Sequence, residues 1–323
     1  MISEFEFVRN IKRKHDLRRV GDDCAVLPKD GEVDLVVTAD LLVEDIDFRL
    51  AWTTPEMLGH KALAVSLSDV AAMGAVPKWA MISIGVPTDL WETDFLCGFY
   101  AGWHALSSQF GVELIGGDTS RSPDRLVIDS VAAGEVSSGK ALVRSGAVSG
   151  DLVVVTGTLG GSAGGLQLLE AGGQYGTEAA LWEQNLLLTH LKPSPQIALA
   201  MSLQRNGMVR SMIDISDGLL SDLEHICSSS SVGARIVAEQ IPIHPDLAKV
   251  IGSEEDRLEL AINGGEDYQL LFTVSIEDFD RLLSTSDERI FTVIGEVTGK
   301  VGIVELVRSG KASVVESKGY RHF

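Results

Sequence analysis

The sequence predicts an α/β chain of two domains, and three observations predict it. A length of 323 residues is long for a single core. Short β-branched runs alternate with longer periodic apolar stretches. A Ser- and Gly-rich stretch, Ser137–Asp151, interrupts that pattern near the middle. The expected division is residues 1–140 and residues 141–323, with the junction near residue 140.

Val33–Thr38, Val127–Val131, Asp151–Thr156 and Phe291–Val297 read as strands, because β-branched residues fit a pleated, half-buried surface. Pro55–Met73, Glu92–Phe110, Pro195–Asn206 and Gly218–Ser231 carry apolar residues at helical spacing. The first of these is closed by Gly74, and Ser194 with Pro195 reads as a cap and first helical position of the third.

With 46 acidic and 27 basic residues the net charge is −19, which argues against a nucleic-acid or anionic-membrane surface. An acidic chain that handles anions needs metal ions between them. Cys24, Cys97 and Cys227 are widely spaced and form no C-x-x-C, so neither a disulfide framework nor a zinc knuckle is indicated. No apolar run approaches a membrane span or a leader, and the expected location is the cytoplasm. The seven histidines lack H-E-x-x-H spacing, which removes most zinc-hydrolase readings.

Aspartates carry the chemistry. Gly21-Asp22-Asp23 presents two carboxylates on a Gly turn, although an Asp-rich turn explains it as readily. Asp40, after Thr38-Ala39, falls at the C-terminal end of an expected strand, where ligands gather in open α/β sheets, or caps a loop. Asp69 lies near the end of an apolar helix. A carboxylate there opposes the helix dipole by about 0.3–1 kcal/mol, so a cation ligand explains it better than a solvated surface residue. Gly116-Gly117-Asp118 follows a short run, Val112–Ile115, and its glycines admit close backbone approach. In Asp214-Ile215-Ser216-Asp217-Gly218, Ser216 or Asp217 reads equally as a helix cap, while Asp214 shares a face with Ser216. Magnesium combines one or two carboxylates with water and phosphates, so five separated sites suit several such ions between two polyanions. The Gly-rich Thr156–Leu166 lacks a Walker lysine, and close helix packing explains it as well as phosphate does.

Read in order, GDDCAVL, TADLLVEDIDF, HKALAVSLSDVAAMGA, LIGGDTSR, VRSGAVSGD, VTGT, KPSP, IDISDGLLSDL, NGGEDYQLLFTV and KGYRHF resemble the thiamine-monophosphate kinase family from Gly21 to Phe323. The resemblance implies the two-domain fold shared with phosphoribosylaminoimidazole synthetase, selenophosphate synthetase and the hydrogenase-maturation dehydratase. It implies an N-terminal domain that dimerises through its sheet and a C-terminal α/β domain that closes over nucleotide and substrate. It also implies Asp23, Thr38, Asp40, Asp69, Asp118 and Asp214 as magnesium ligands, with Asp217 on a further ion. Gly117, Asp118, Arg144 and Ser216 would then meet ATP, with Tyr100 a further candidate, and Asp47, Glu266 and Tyr320 would meet thiamine monophosphate. The implied reaction is direct in-line transfer of the ATP γ-phosphoryl group onto thiamine monophosphate, the last step of thiamine diphosphate biosynthesis. No general base or covalent nucleophile is implied, because the acceptor phosphate is already largely dianionic near neutral pH.

Two positions depart from the family pattern. Ala39 stands where a second hydroxyl residue is usual, and Asp47 where a substrate-contacting histidine is usual. An acidic side chain cannot donate to a phosphate. Another enzyme of the superfamily, or a silent ATP-binding regulator, would be the rival reading. Selenophosphate synthetase would want a reactive N-terminal Cys and the hydrogenase-maturation protein a C-terminal one. Cys24 lies inside the GDD block, the chain ends Tyr320-Arg321-His322-Phe323, and all the expected aspartates are present.

Overall fold

The computed structural model describes residues 4–15, 17–176, 178–285 and 290–319. Five strands form the N-terminal sheet: β1 (Ala25–Pro28), β2 (Val33–Val43), β3 (Val76–Val86), β4 (Glu113–Arg121) and β5 (Val127–Ser137), in the order β1-β2-β5-β3-β4. Seven more, β6 (Leu152–Thr156), β7 (Val209–Asp214), β8 (Gly233–Val237), β9 (Leu270–Val274), β10 (Phe291–Thr298), β11 (Val304–Arg308) and β12 (Lys311–Val315), form the second sheet in the order β12-β11-β8-β10-β6-β9-β7. Between Ser137 and Leu152 the chain has neither helix nor strand. Among the described residues no helix is long and apolar enough to cross a membrane, and Cys24, Cys97 and Cys227 form no disulfide.

Helix α2 (Pro55–Ala72) is the central element. Thr54 caps it by accepting the Met57 N–H, and Pro55 fits its first turn, where no donor is needed. It is buried on nearly all sides. One side packs on β2, β5 and α4 (Phe95–Phe110), the other on α6 (Leu181–Leu191), α7 (Ile197–Asn206) and β7. The apolar core accordingly runs without a break from Val36, Leu63 and Val70 to Met212, Phe272 and Leu282. A second core fills the space between the C-terminal sheet and α8 (Leu219–Ser230), around Ile213, Leu223 and Ile236.

Three local expectations change. β2 continues through Asp40 to Val43, so Asp40 lies inside a strand instead of at its end. Its carboxylate is tolerated there because Ser66 of α2 donates to it at 2.6 Å. Gly116, Gly117 and Asp118 likewise lie within β4, where a Cβ on Gly117 would stand 1.8 Å from the Ile82 carbonyl oxygen of β3. α7 starts at Ile197, and its cap position is Gln196, not Ser194.

Candidate functional site

The site grows from α2, which brings two serines and an aspartate against both sheets. Ser66 donates to Asp40 at 2.6 Å, and its oxygen lies 3.0 Å from that of Ser130, the β5 residue paired with Asp40. Ser68 donates to Asp214, at the end of β7, at 2.5 Å. Thr38 of β2 donates to Asp69. Asp23 enters from the turn before β1. It accepts from Arg144 Nη2 at 2.6 Å, while the Arg144 backbone N–H donates to Asp22 at 2.7 Å.

Asp23, Asp69 and Asp214, separated by 46 and 145 residues in sequence, thus converge: one carboxylate oxygen of each lies within 4.8 Å of the others. At that spacing a pair of charges repels by about 3.5 kcal/mol at an effective dielectric near 20. Burial, then the neighbouring carboxylates, raises Asp69 well above the usual carboxylate range. Burial, then Asp23, pushes Asp214 to about 8, and burial raises Asp40 to about 6. Burial raises Asp23 as well, against the pull of Arg144. Among the described residues Asp23 Oδ2 is buried without a hydrogen-bond partner. A hard cation fits this set: it takes oxygen ligands, two ligands of one magnesium ion lie up to about 4.2 Å apart, and it would satisfy the orphaned oxygen.

These shifts predict how the metal-free protein melts. A group whose pKa is higher folded than unfolded stabilises fully below its unfolded value, near 4, and loses that contribution as pH rises through the folded value. In EDTA the melting temperature is therefore expected to fall as pH rises through about 6 and about 8, the values of Asp40 and Asp214. Magnesium at 100 times its Kd contributes about 2.7 kcal/mol, roughly 5 °C, and more at pH 8.5 than at pH 6. A flat or rising melting curve in EDTA over that window would contradict this account of the cluster.

Beside the trio, Asp40 and Asp217 line a cleft of about 570 Å³ together with Asp47, Arg49, Trp52, His190, Ser216 and Glu266. The Arg49 guanidinium lies 4.3 Å from the centre of the Trp52 ring. Asp47 accepts the Val43 N–H at 2.8 Å, closing the turn after β2. Glu266 pairs with Lys61 Nζ at 2.8 Å and lies 3.1 Å from His190 Nδ1. Asp217 is not gathered with the trio. It groups instead with Asp222 and His225, whose ligand atoms also lie within 4.8 Å of one another. Burial, then Asp217, raises Asp222 well above the usual range, and burial lowers His225 to about 4.

Asp118 stands apart on the exposed β4, accepting its neighbour Thr119's N–H at 2.9 Å. Arg144 is occupied by Asp23, and Tyr100, on α4, is partly buried against the core. Tyr320 lies outside the described residues. Sequence reasoning missed Lys61, Ser66, Ser68, Asp222 and Asp267. The signal for the first three was polar residues inside an otherwise apolar helix. Asp267 answers the question posed by the Gly-rich stretch. Its carboxyl accepts the N–H groups of Gly160, at 2.5 Å, and Ser162, at 3.0 Å, at the start of α5 (Gly161–Glu170), so an internal acceptor already holds that helix N-terminus. A Cβ on Gly165 would stand 2.2 Å from the Leu186 carbonyl oxygen, so the glycine lets α5 pack on α6.

Comparisons with known proteins match the chain along nearly its whole length. Residues 21–136 match the AIR synthase related protein, N-terminal domain, and residues 148–307 match the corresponding C-terminal domain. The chain is 36% identical over 311 residues to the thiamine-monophosphate kinase of Bacillus subtilis, covering 94% of this chain and 93% of that one. It is 38% identical over 323 residues to that of Escherichia coli K12, covering 99% and 95%. A solved structure of AaThiL complexed with AMPPCP and TMP superposes with a TM-score of 0.87 at 34% identity, covering 99% of this chain and 97% of that one.

Proposed function

The chain belongs to the AIR synthase related family, and within it to the thiamine-monophosphate kinases; from that premise we propose that it transfers the γ-phosphoryl group of ATP onto thiamine monophosphate, giving thiamine diphosphate and ADP. The observation that carries this reading is the convergence of Asp23, Asp69 and Asp214, from the turn before β1, helix α2 and the end of β7, beside a cleft large enough for a substrate. A relative of the same length and fold binds AMPPCP and TMP, which supports ATP as donor.

Asp23, Asp69 and Asp214, with Asp40 and Thr38 beside them and Asp217 at the adjoining group, would hold magnesium, which would supply charge neutralisation between the two phosphate chains. The chain's own residues bind and orient. Ser66, Ser68 and Thr38 fix the carboxylates, so the platform is set before ligands arrive. Ser216, which lines the cleft, and Arg144, which pairs with Asp23 of the trio, are assigned to the nucleotide, with Gly117 and Asp118 of β4 assigned there by resemblance. The acceptor phosphate is already dianionic, so direct in-line transfer needs alignment and no general base. Asp47 and Glu266 face the cationic thiamine half. Arg49, two residues after Asp47 and lining the same cleft, supplies the donor to phosphate that Asp47 cannot. Tyr320 is assigned to thiamine monophosphate by resemblance.

We place the domain junction near residue 140, and the homodimer contact at the N-terminal sheet. Among the described residues β4 pairs with β3 on one side only and is exposed along most of its length, which supports that contact. The acidic charge and the reactants of a biosynthetic kinase support a cytoplasmic location.

Incubation with ATP, magnesium and thiamine monophosphate should yield thiamine diphosphate and ADP one for one; ADP without thiamine diphosphate would overturn the reading. In the same assay Arg49→Ala should raise the KM for thiamine monophosphate about tenfold, the scale of one charge-assisted contact. An unchanged KM would remove Arg49 from the site.

A further inference from the structure

Lys61 is a charge in an apolar setting. It sits in the first half of α2 with only 3% of its surface exposed, among Leu58, Ala62, Leu63 and Val65. A buried ammonium persists only when paired. Its partner is not a neighbour on the helix but Glu266, which follows Gly265 in the C-terminal half of the chain, with Nζ 2.8 Å from Oε1.

The other Glu266 oxygen lies 3.1 Å from His190 Nδ1, which lies 3.0 Å from Ser162 Oγ. Burial, then Lys61, lowers His190 to about 4, so the ring is neutral at working pH and the charge that balances Glu266 comes from Lys61. Burial alone would raise Glu266. The Lys61 ammonium beside it reverses that and leaves it below the usual range. The backbone is fixed as well: Glu266 adopts φ 63°, and its N–H donates to the Ser216 carbonyl oxygen at 2.8 Å. Both carboxylate oxygens are therefore held while the side chain, 28% exposed, still faces the cleft.

We propose that Lys61 is a positioning residue for the phosphate acceptor: from the N-terminal half it aims and charge-balances the Glu266 carboxylate, which in turn selects a ligand bearing a cationic ring or N–H donors. This rests on the kinase reading above, and it adds a residue that touches neither substrate. An ionised carboxylate only accepts hydrogen bonds, so it favours an aminopyrimidine or thiazolium and repels a second anion. Without Lys61 the carboxylate loses its balancing charge and its direction together. A merely structural bridge between the halves would behave differently, affecting both substrates or stability alone.

The test is a double-mutant cycle read in kinetics. Steady-state constants for thiamine monophosphate and for ATP are measured for wild type, Lys61→Met, Glu266→Gln, the double variant and Lys61→Arg. Lys61→Met is expected to raise the KM for thiamine monophosphate about tenfold and that for ATP less than about twofold. In the Glu266→Gln background the same change should add less than about threefold, because Lys61 acts through Glu266, and Lys61→Arg should recover part of the loss. Equal rises for both substrates, or effects that multiply in the double variant, would overturn the proposal. If Lys61→Met does not fold, the double variant, which buries no unpaired charge, is compared with Glu266→Gln, whose amide oxygen still accepts from Lys61. Matching KM values then support the proposal, and a further tenfold rise overturns it. Wild type that forms thiamine diphosphate while the cycle fails sinks the role of Lys61 only; wild type that forms none sinks the kinase reading with it.

Discussion

Replacing Asp69 by Asn is expected to lower kcat about a thousandfold, which corresponds to about 4 kcal/mol of transition-state stabilisation. At the same time the melting temperature in EDTA at pH 8 should hold or rise. The opposite signs follow from one arrangement. Asp69 is the carboxylate through which β2, α2 and the trio communicate, accepting from Thr38 and facing Asp23 and Asp214 within 4.8 Å. As a ligand it is indispensable to a bound cation. Without the cation it is a buried charge among like charges, raised well above the usual range first by burial and then by Asp40 and Asp214. Asn keeps an acceptor for Thr38 and removes the charge. Activity within tenfold of wild type, or a melting temperature in EDTA several degrees lower, would mean that Asp69 is a structural residue.

The second large effect concerns stability. Asp267→Ala should destabilise the protein by about 3 kcal/mol, since the buried Gly160 and Ser162 N–H groups would each lose an acceptor at about 1–3 kcal/mol. Asp267 is 4% exposed, so its partners' N–H groups rely on its carboxylate in the native protein. Burial raises its carboxyl to about 7 even though three backbone N–H groups act to lower it. Asp267→Asn, which keeps one acceptor but turns donors toward donors, should fall between. Urea unfolding with an unchanged m-value would measure both. Wild-type stability in Asp267→Ala would show that the start of α5 is satisfied by solvent. Because Asp267 adjoins Glu266, the same variants should also raise the KM for thiamine monophosphate.

The elements were legible where local chemistry decides them. The periodic stretch from Pro55 marks α2, Gly74 ends it, and β-branched runs mark β2, β5, β6 and β10. The strands extended further than expected at Asp40 and Gly117 because their permission comes from elsewhere. Ser66 makes a buried Asp acceptable on β2, and the closeness of the Ile82 carbonyl makes glycine obligatory on β4. No window of sequence contains both partners. The same holds for the site. Asp69 alone pointed to a cation; the other aspartates, taken singly, were explained about as well by a turn or a cap, and only their order along the chain, through resemblance, joined them. What remained hidden were the supporting groups, Ser68 for Asp214, Lys61 for Glu266 and Asp267 for α5, each acting across more than a hundred residues. For Ser68 and Lys61 the one local trace is a lone polar residue in an apolar helix; Asp267, in a loop, leaves none.

The placement of Lys61 and Asp69 on one helix bears on how this protein can vary. They stand two turns apart, about 12 Å along the axis, and a single inserted or deleted residue would swing one relative to the other by about 100°. Side chains between them can be exchanged for others of similar volume. The count of residues cannot change without pointing either the substrate end or the metal end away from its partner. Residues 61–69 are thus a gauge of fixed length, and diversity of substrate within this architecture should arise in the loops around the cleft, with the spacing along α2 left intact.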